Sequence, residues 1–256
     1  MGSYGEYCPI AVGAEFVGDR WTPLVLRELI VGCRGFNEIH RGVPRMSRSL
    51  LAQRLRVLER RGLVERIAHG AGRPVEYVLT PAGQDLEPII WQLGHWAARW
   101  VFGDPTDEVL DAAWLAWRLH QYVDAARIPP ARTVVELDLT GPGGGCAWLV
   151  LDRGGSTACL VDPGYDVDLA VLADNREMHR WLLGRTSWRD VIASGVVRMV
   201  GPSKHVRAFP TWFHSSLFGA DFRQATRRDA RVPDAAPARP AVERDTPGSA
   251  VAAPAR

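Results

Sequence analysis

Ser47-Arg48-Ser49-Leu50-Leu51-Ala52-Gln53-Arg54-Leu55-Arg56-Val57-Leu58-Glu59-Arg60-Arg61-Gly62 is the stretch on which the fold turns. Ser47 is a good helix start, because its hydroxyl can accept from a free N–H of the first turn. Gly62 is a good stop, since it takes the left-handed conformation that closes a helix. Between them, Leu51, Leu55 and Leu58 recur at helical spacing on one face. Ser49, Gln53, Arg56 and Arg60 fall on the opposite face. That face suits a DNA major groove, where Gln can read adenine, Arg can read guanine, and either can hold phosphate. Taken alone, the same pattern fits an ordinary amphipathic surface helix with solvated arginines.

The residues after Gly62 change that reading. Leu63 to Ile67 and Val75 to Thr80 are two short β-rich runs around the turn His69-Gly70-Ala71-Gly72-Arg73-Pro74. A basic helix followed at once by a hairpin with arginine at its tip is the winged helix-turn-helix pattern. The helix enters the major groove, and Arg73 at the wing reaches phosphate or the minor groove. From Arg41 to Arg73 nine arginines stand against two acids, Glu59 and Glu65, in a chain whose net charge is only +2. That concentration is the electrostatic footprint of a nucleic-acid binder. The expected DNA-contacting set is Ser47, Arg48, Ser49, Gln53, Arg54, Arg56, Arg60 and Arg73, with Arg54 and Arg73 on phosphate.

The 256 residues allow two domains of ordinary size. Residues 1–103 carry 13 basic side chains against 10 acids, residues 104–222 carry 11 against 15, and residues 223–256 carry seven against four. The first block is therefore the expected DNA binder and the middle block is not. No run of about 18 apolar residues is present, so no membrane span is expected, and the N-terminal residues lack the charged and apolar regions of a secretory signal. Cys8, Cys33, Cys146 and Cys159 show no metal-ligand spacing and read as free thiols of a cytoplasmic protein. No metal or cofactor is expected.

In order, the pattern predicts helices from Cys8-Pro9 to Gly18, from Trp21 to Ile30, and from Phe36 to His40, then a turn from Gly42 to Met46 into the Ser47–Gly62 helix. After the wing, Thr80-Pro81 starts a long helix with apolar residues at three- and four-residue steps, including Leu86, Ile90, Leu93, Trp96 and Trp100. Its stripe is wider than one small core needs, which points to a homodimer through the first helix and the helix from Gln84 to Phe102. Two-fold symmetry then implies a near-palindromic operator on double-stranded DNA.

Residues 7–102 resemble the HxlR type of winged-helix transcriptional regulator, a MarR relative. The resemblance rests on Cys8-Pro9, Asp19-Arg20-Trp21-Thr22, Arg27-Glu28-Leu29, Phe36-Asn37-Glu38-Ile39, Ser47, Leu51, Arg54-Leu55, Leu58-Glu59, Gly62-Leu63, Arg66, Glu76-Tyr77, Leu79-Thr80-Pro81-Ala82-Gly83 and Leu86. It implies a dimer paired through first and last helices that represses or activates nearby genes, often in response to electrophiles or oxidants. It also aligns Cys8 with the sensing thiol of the family; an inert interface cysteine is the other reading. The wing departs from the family's bulky basic run, with Ala68 to Val75 in its place.

Gly103-Asp104-Pro105-Thr106 is the expected domain boundary. Beyond it the pattern gives a helix from Glu108 to Ala126, then strands at Val135–Leu139, Ala147–Asp152, Thr157–Asp162 and Val167–Leu172. Helices from Asp174 to Leu183 and from Trp188 to Ile192, a strand at Val196–Val200 and a helix from Ser203 to Phe213 come next. The whole is expected to be α+β, an N-terminal winged helix-turn-helix domain plus a C-terminal α+β sandwich with a mostly antiparallel sheet. Trp188 to Gly201 resembles the sterol carrier protein type 2 fold, which implies an apolar tunnel. An apolar small-molecule pocket is accordingly expected among Trp114, Trp117, Trp148, Trp181, Trp188, Trp212 and Phe213, although the same rings could simply fill a core. Residues 223–256, with ten alanines, five prolines and no aromatics, are expected to be disordered.

No catalytic constellation stands out, so no enzyme is expected. His214 and Ser215-Ser216 lack an orienting acid, and Gly141-Pro142-Gly143-Gly144-Gly145 lacks the Lys-Ser/Thr of a phosphate loop. Two functions remain: a transcriptional regulator that senses an apolar molecule, or a carrier whose winged helix serves for dimerisation.

Overall fold

The computed structural model describes residues 5–70 and 72–229. Three helices, α1 (Pro9–Val17), α2 (Thr22–Ile30) and α3 (Phe36–Gly42), precede α4 (Arg48–Arg60). The hairpin β1 (Val64–Ile67) and β2 (Glu76–Leu79) comes next, then α5 (Pro81–Gln84) and α6 (Glu87–Trp100). Leu51, Leu55 and Leu58 of α4 are buried and pack with Val25, Leu26 and Ile39 of α2 and α3. Burying side chains of this size contributes about 1.5–3 kcal/mol each, which fixes α4 with its polar side outward. The long helix expected after the wing is broken at Asp85 and Leu86. Pro88 is the reason, since it cannot donate to the carbonyl four residues back and its ring crowds that carbonyl.

The second domain opens with α7 (Ala112–Gln121), shorter than the expected helix from Glu108 to Ala126. Asp111 is extended and its Oδ1 accepts from Ala113 N at 2.8 Å and Trp114 N at 3.1 Å, so the α-helix starts there, behind a 3-10 turn at Asp107–Val109. Strands β3 (Thr133–Thr140), β4 (Gly145–Leu151), β5 (Thr157–Cys159), β6 (Leu169–Asp174) and β7 (Val197–Val200) form one sheet in the order β5-β4-β3-β6-β7. All neighbours pair antiparallel except β3 and β6, which run parallel. Strand β5 stops short of the expected Asp162, ahead of the turn in which Gly164 N donates to Asp162 Oδ1 at 2.8 Å and Pro163 offers no donor. One sheet face, with Leu137, Leu149 and Val171, is buried under α7, α8 (Asn175–Leu182) and the aromatic segment Phe209–Trp212. The other face carries Glu136, Asp138 and Trp148, with Val134 and Val150 buried at one end of it.

Helices α9 (Trp188–Ala193) and α10 (Ser203–Ala208) flank β7. The expected Ser203–Phe213 helix changes to a 3-10 turn at Phe209, because Pro210 supplies no amide hydrogen. Helix α11 (Gly219–Asp229) then corrects the expected start of the disordered tail: Arg223 to Asp229 are helical, and residues 230–256 lie outside the described residues. The segment from Phe218 into α11 docks on α6 of the first domain. Phe218 fills the space left by Gly94, where a Cβ would sit 2.7 Å from its ring, and Asp221 Oδ2 accepts from His95 Nδ1 at 2.6 Å. Phe222 meets Phe102 at 5.6 Å between ring centres. Among the described residues no helix is long and apolar enough to cross a membrane.

Candidate nucleic-acid interface

Ser47 caps α4, its Oγ accepting from Leu50 N at 3.3 Å. The other end closes on Gly62 at φ +71, with Gly62 N donating to Glu59 O at 2.9 Å and Leu63 N to Leu58 O at 3.0 Å. This paired pattern stops the helix and launches β1 directly. Thr80 ties the base of the wing to the same point through Oγ1 to Gly62 O at 2.6 Å. The wing gains a third partner, since Tyr77 N donates to Arg34 O at 2.9 Å.

Ser47, Arg48, Ser49, Gln53, Arg56 and Arg60 all lie exposed on α4 or at its cap, and Arg73 is exposed at the wing tip. Arg48 is held upright: Nη2 donates to Asn37 Oδ1 at 2.7 Å, and its guanidinium lies 5.1 Å from the Phe36 ring centre. Arg54 is a correction. It is turned inward, with Nη2 2.8 Å from Asp19 Oδ2, and it braces α4 against the α1–α2 connection. Its place one position round the helix from Gln53 decides this, because it faces the packed side's edge. Arg61 is used similarly, donating to Glu15 O at 2.9 Å over the Phe16 ring. Among the described residues the side chains of Arg56, Arg60, Arg66 and Arg73 make no ion pair or hydrogen bond, so four guanidiniums per chain project from the helix and wing. Arg66, exposed on β1, was absent from the expected set; strand alternation puts it on the face of the buried Val64, so the pattern gave no sign that it would project.

A profile of the HxlR-like helix-turn-helix family matches residues 16–104. The HTH-type transcriptional regulator YdeP of Bacillus subtilis is 34% identical over 96 residues, which cover 37% of this chain and 75% of that protein. YvaP of the same organism, also described as an HTH-type transcriptional regulator, is 33% identical over 103 residues, 40% of this chain and 94% of that protein. The chain belongs to the HxlR-like helix-turn-helix family. A solved structure, the reduced form of the transcriptional regulator YodB from B. subtilis, matches at 32% identity over 38% of this chain and 96% of that one, with a TM-score of 0.34. The family match ends at residue 104, ahead of α7 and the five-stranded sheet.

Two surfaces adjoin the HxlR module. The first is apolar: Ile89, Leu93, Trp96 and Trp100, one face of α6, are each about half exposed, and Tyr7, Ile10 and Val12 are exposed on and before α1. Helix α1 buries no residue fully within its own chain. Cys8, half-buried, is its N-cap residue and makes no side-chain cap.

The second surface is the joint with the C-terminal domain, which the sequence reading missed. Glu28 of α2 is 0% exposed and Arg118 of α7 is 5% exposed. Arg118 Nη1 donates to Glu28 Oε2 at 3.1 Å and Nη2 to Glu28 Oε1. Arg27 Nε donates to Glu28 Oε1 at 2.8 Å, so two guanidiniums share one carboxylate. Burial pushes the Glu28 carboxyl up, but Arg27 and Arg118 together outweigh it and hold the group below the usual carboxylate range. Burial beside Glu28 pushes the Cys33 thiol up to about 12, which makes it an unreactive part of the joint. An arginine in the apolar run Leu115-Ala116-Trp117-Arg118-Leu119 was the available signal.

The seven aromatics expected to line one apolar pocket do not converge. Trp181, Trp188, Trp212 and Phe213 meet around Phe209, with ring centres 4.7–6.0 Å apart, and pack on one another. Trp114 instead stacks on His179 at 5.7 Å. Trp117 is buried against the HxlR core with Arg41 over its ring, and Trp148 lies on the far face of the sheet. Large rings reach their packing area fastest by stacking on each other.

Proposed function

We propose that this chain is a homodimeric, sequence-specific transcriptional regulator that reads a near-palindromic operator with α4 and grips the backbone with its wing. The observation that carries the reading is the outward face of α4. Gln53, Arg56 and Arg60 project from a helix whose opposite side is locked by three buried leucines, next to a wing tied to its end. The test is fluorescence anisotropy on duplex DNA from upstream of its own gene, with salt varied. Four projecting arginines in each of two protomers set the expected slope of log affinity against log salt at about −7 if all reach phosphate. A slope near zero, or equal affinity for scrambled duplex, sinks the reading.

The exposed α6 face supports the dimer. Leu93→Glu/Trp96→Glu is expected to shift the mass measured by light scattering at micromolar concentration from dimer to monomer, and to weaken operator binding with it. A wild type that is already monomeric rules the dimer out. Cys8 stands half-buried at the start of α1, which supports its reading as a thiol sensor. Diamide is then expected to weaken operator binding by wild type and leave Cys8→Ser unaffected; equal responses exclude this thiol. The rings around Phe209 occupy the space an apolar guest would need, so the carrier function gains no support from the geometry and regulation is the reading we keep.

A further inference from the structure

We propose that Arg118, supplied by the C-terminal domain, is a positioning residue for DNA recognition: it pins the turn of the helix-turn-helix and so sets the attitude of α4. The inference rests on the DNA-binding reading above and extends it to a residue outside the family module, which ends at residue 104.

Arg118 Nη2 donates to the carbonyl of Gly42 at 3.0 Å, and Arg27 Nη2 donates to the same oxygen at 3.0 Å. Gly42 is the last residue of α3, where the helix leaves carbonyls without partners and the dipole favours cations. Two guanidiniums on one terminal carbonyl, buried and backed by Glu28, make a fixed point at the start of the turn. The site admits no side chain at residue 42, since a Cβ would lie 1.9 Å from Glu28 Oε2. Arg118 is itself held, with Nη1 donating to Gln121 Oε1 at 2.7 Å and its guanidinium 5.2 Å from the Trp114 ring centre.

Two further contacts reach the end of α3 and the turn after it from beyond the module. The Arg41 guanidinium lies 5.3 Å from the Trp117 ring centre, and Arg45 Nη2 donates to the carbonyl of Glu108. From that segment the chain enters α4 at Arg48, after Val43 and Met46 have been buried in the core. The turn that aims the recognition helix is therefore held jointly by both domains, and a shift of α7 reaches α4 through Gly42.

Charge accounting selects the variant. The cluster holds two arginines and one glutamate, so Arg118→Met leaves Arg27 and Glu28 as a balanced pair and the protein folds. Arg118→Lys keeps the charge but loses the fork that reaches Glu28 and Gly42 together. In the full chain without DNA, Arg118→Met is expected to speed amide exchange at Val43 and Met46 by about tenfold. Operator affinity should fall about tenfold with the salt slope unchanged, because no phosphate contact is removed. Arg118→Lys should move both in the same direction by less. Arg56→Ala, in contrast, should weaken binding and leave exchange in the turn as it was. Unchanged exchange in both Arg118 variants overturns the proposal, and so does faster exchange with operator affinity within twofold of wild type. A wild type that binds no duplex overturns the DNA-binding reading and this inference together; a wild type that binds, with Arg118→Met binding alike, overturns this inference alone.

Discussion

Gln53→Ala/Arg56→Ala is expected to lose about 2–6 kcal/mol of operator affinity, between tens of times and more than ten thousand times weaker binding. The two side chains lie nearly one turn apart on the outward face of α4, where an amide and a guanidinium can each make a bidentate contact to a base edge. Neither is used inside the fold: both are exposed, and the core face of the helix is complete without them. Melting temperature should therefore stay within the range of surface substitutions, about 0.5 kcal/mol in stability. Anisotropy with specific and scrambled duplexes separates the two effects, since affinity for scrambled DNA should fall much less. Wild-type affinity in the double variant would mean that another element reads the sequence.

Glu28→Ala is expected to destabilise the folded protein by about 3–5 kcal/mol in denaturant titration, the largest single loss at the domain joint. It leaves two guanidiniums facing each other, and Arg118 is too buried to reach water. The pH dependence has a definite sign. The Glu28 carboxyl is held below its unfolded value, near 4.3 for a free glutamate, so its contribution is complete above that value. It disappears as pH falls through the lower folded value. The gap in stability between wild type and Glu28→Gln should accordingly be constant from pH 6 to 8 and shrink as pH falls below about 4. A gap that grows on acidification would show that the arginines do not stabilise the charged form.

The recognition helix was legible in the sequence because everything that builds it is local. Ser47 and Gly62 end it, and Leu51, Leu55 and Leu58 orient it through a periodicity that needs no knowledge of the partner. The hairpin was legible for the same reason, from two β-rich runs and the glycines between them. The family signature Asp19–Thr22 through Leu79–Gly83 tracks those local patterns, and the profile match to residues 16–104 agrees with it. Helix ends were less legible: proline at 88 and 210 broke predicted helices that apolar spacing alone continued.

By itself, the sequence determined the winged helix with its outward basic face, and a second α+β unit with a mostly antiparallel sheet. Tertiary structure alone decided which polar groups stay available. Arg54 is spent on Asp19, a residue 35 positions away, while Arg56 is left outward. Glu28 and Arg118 look like surface charges until folding brings residues 90 apart to hydrogen-bonding distance. The aromatics of the second domain carry no mark of whether they enclose a guest or each other, and α11 becomes a helix against α6 from a polar segment with little apolar pattern of its own. Periodicity encodes which face of an element is buried; it does not encode what that face meets, because the partner is chosen by the closure of the whole chain.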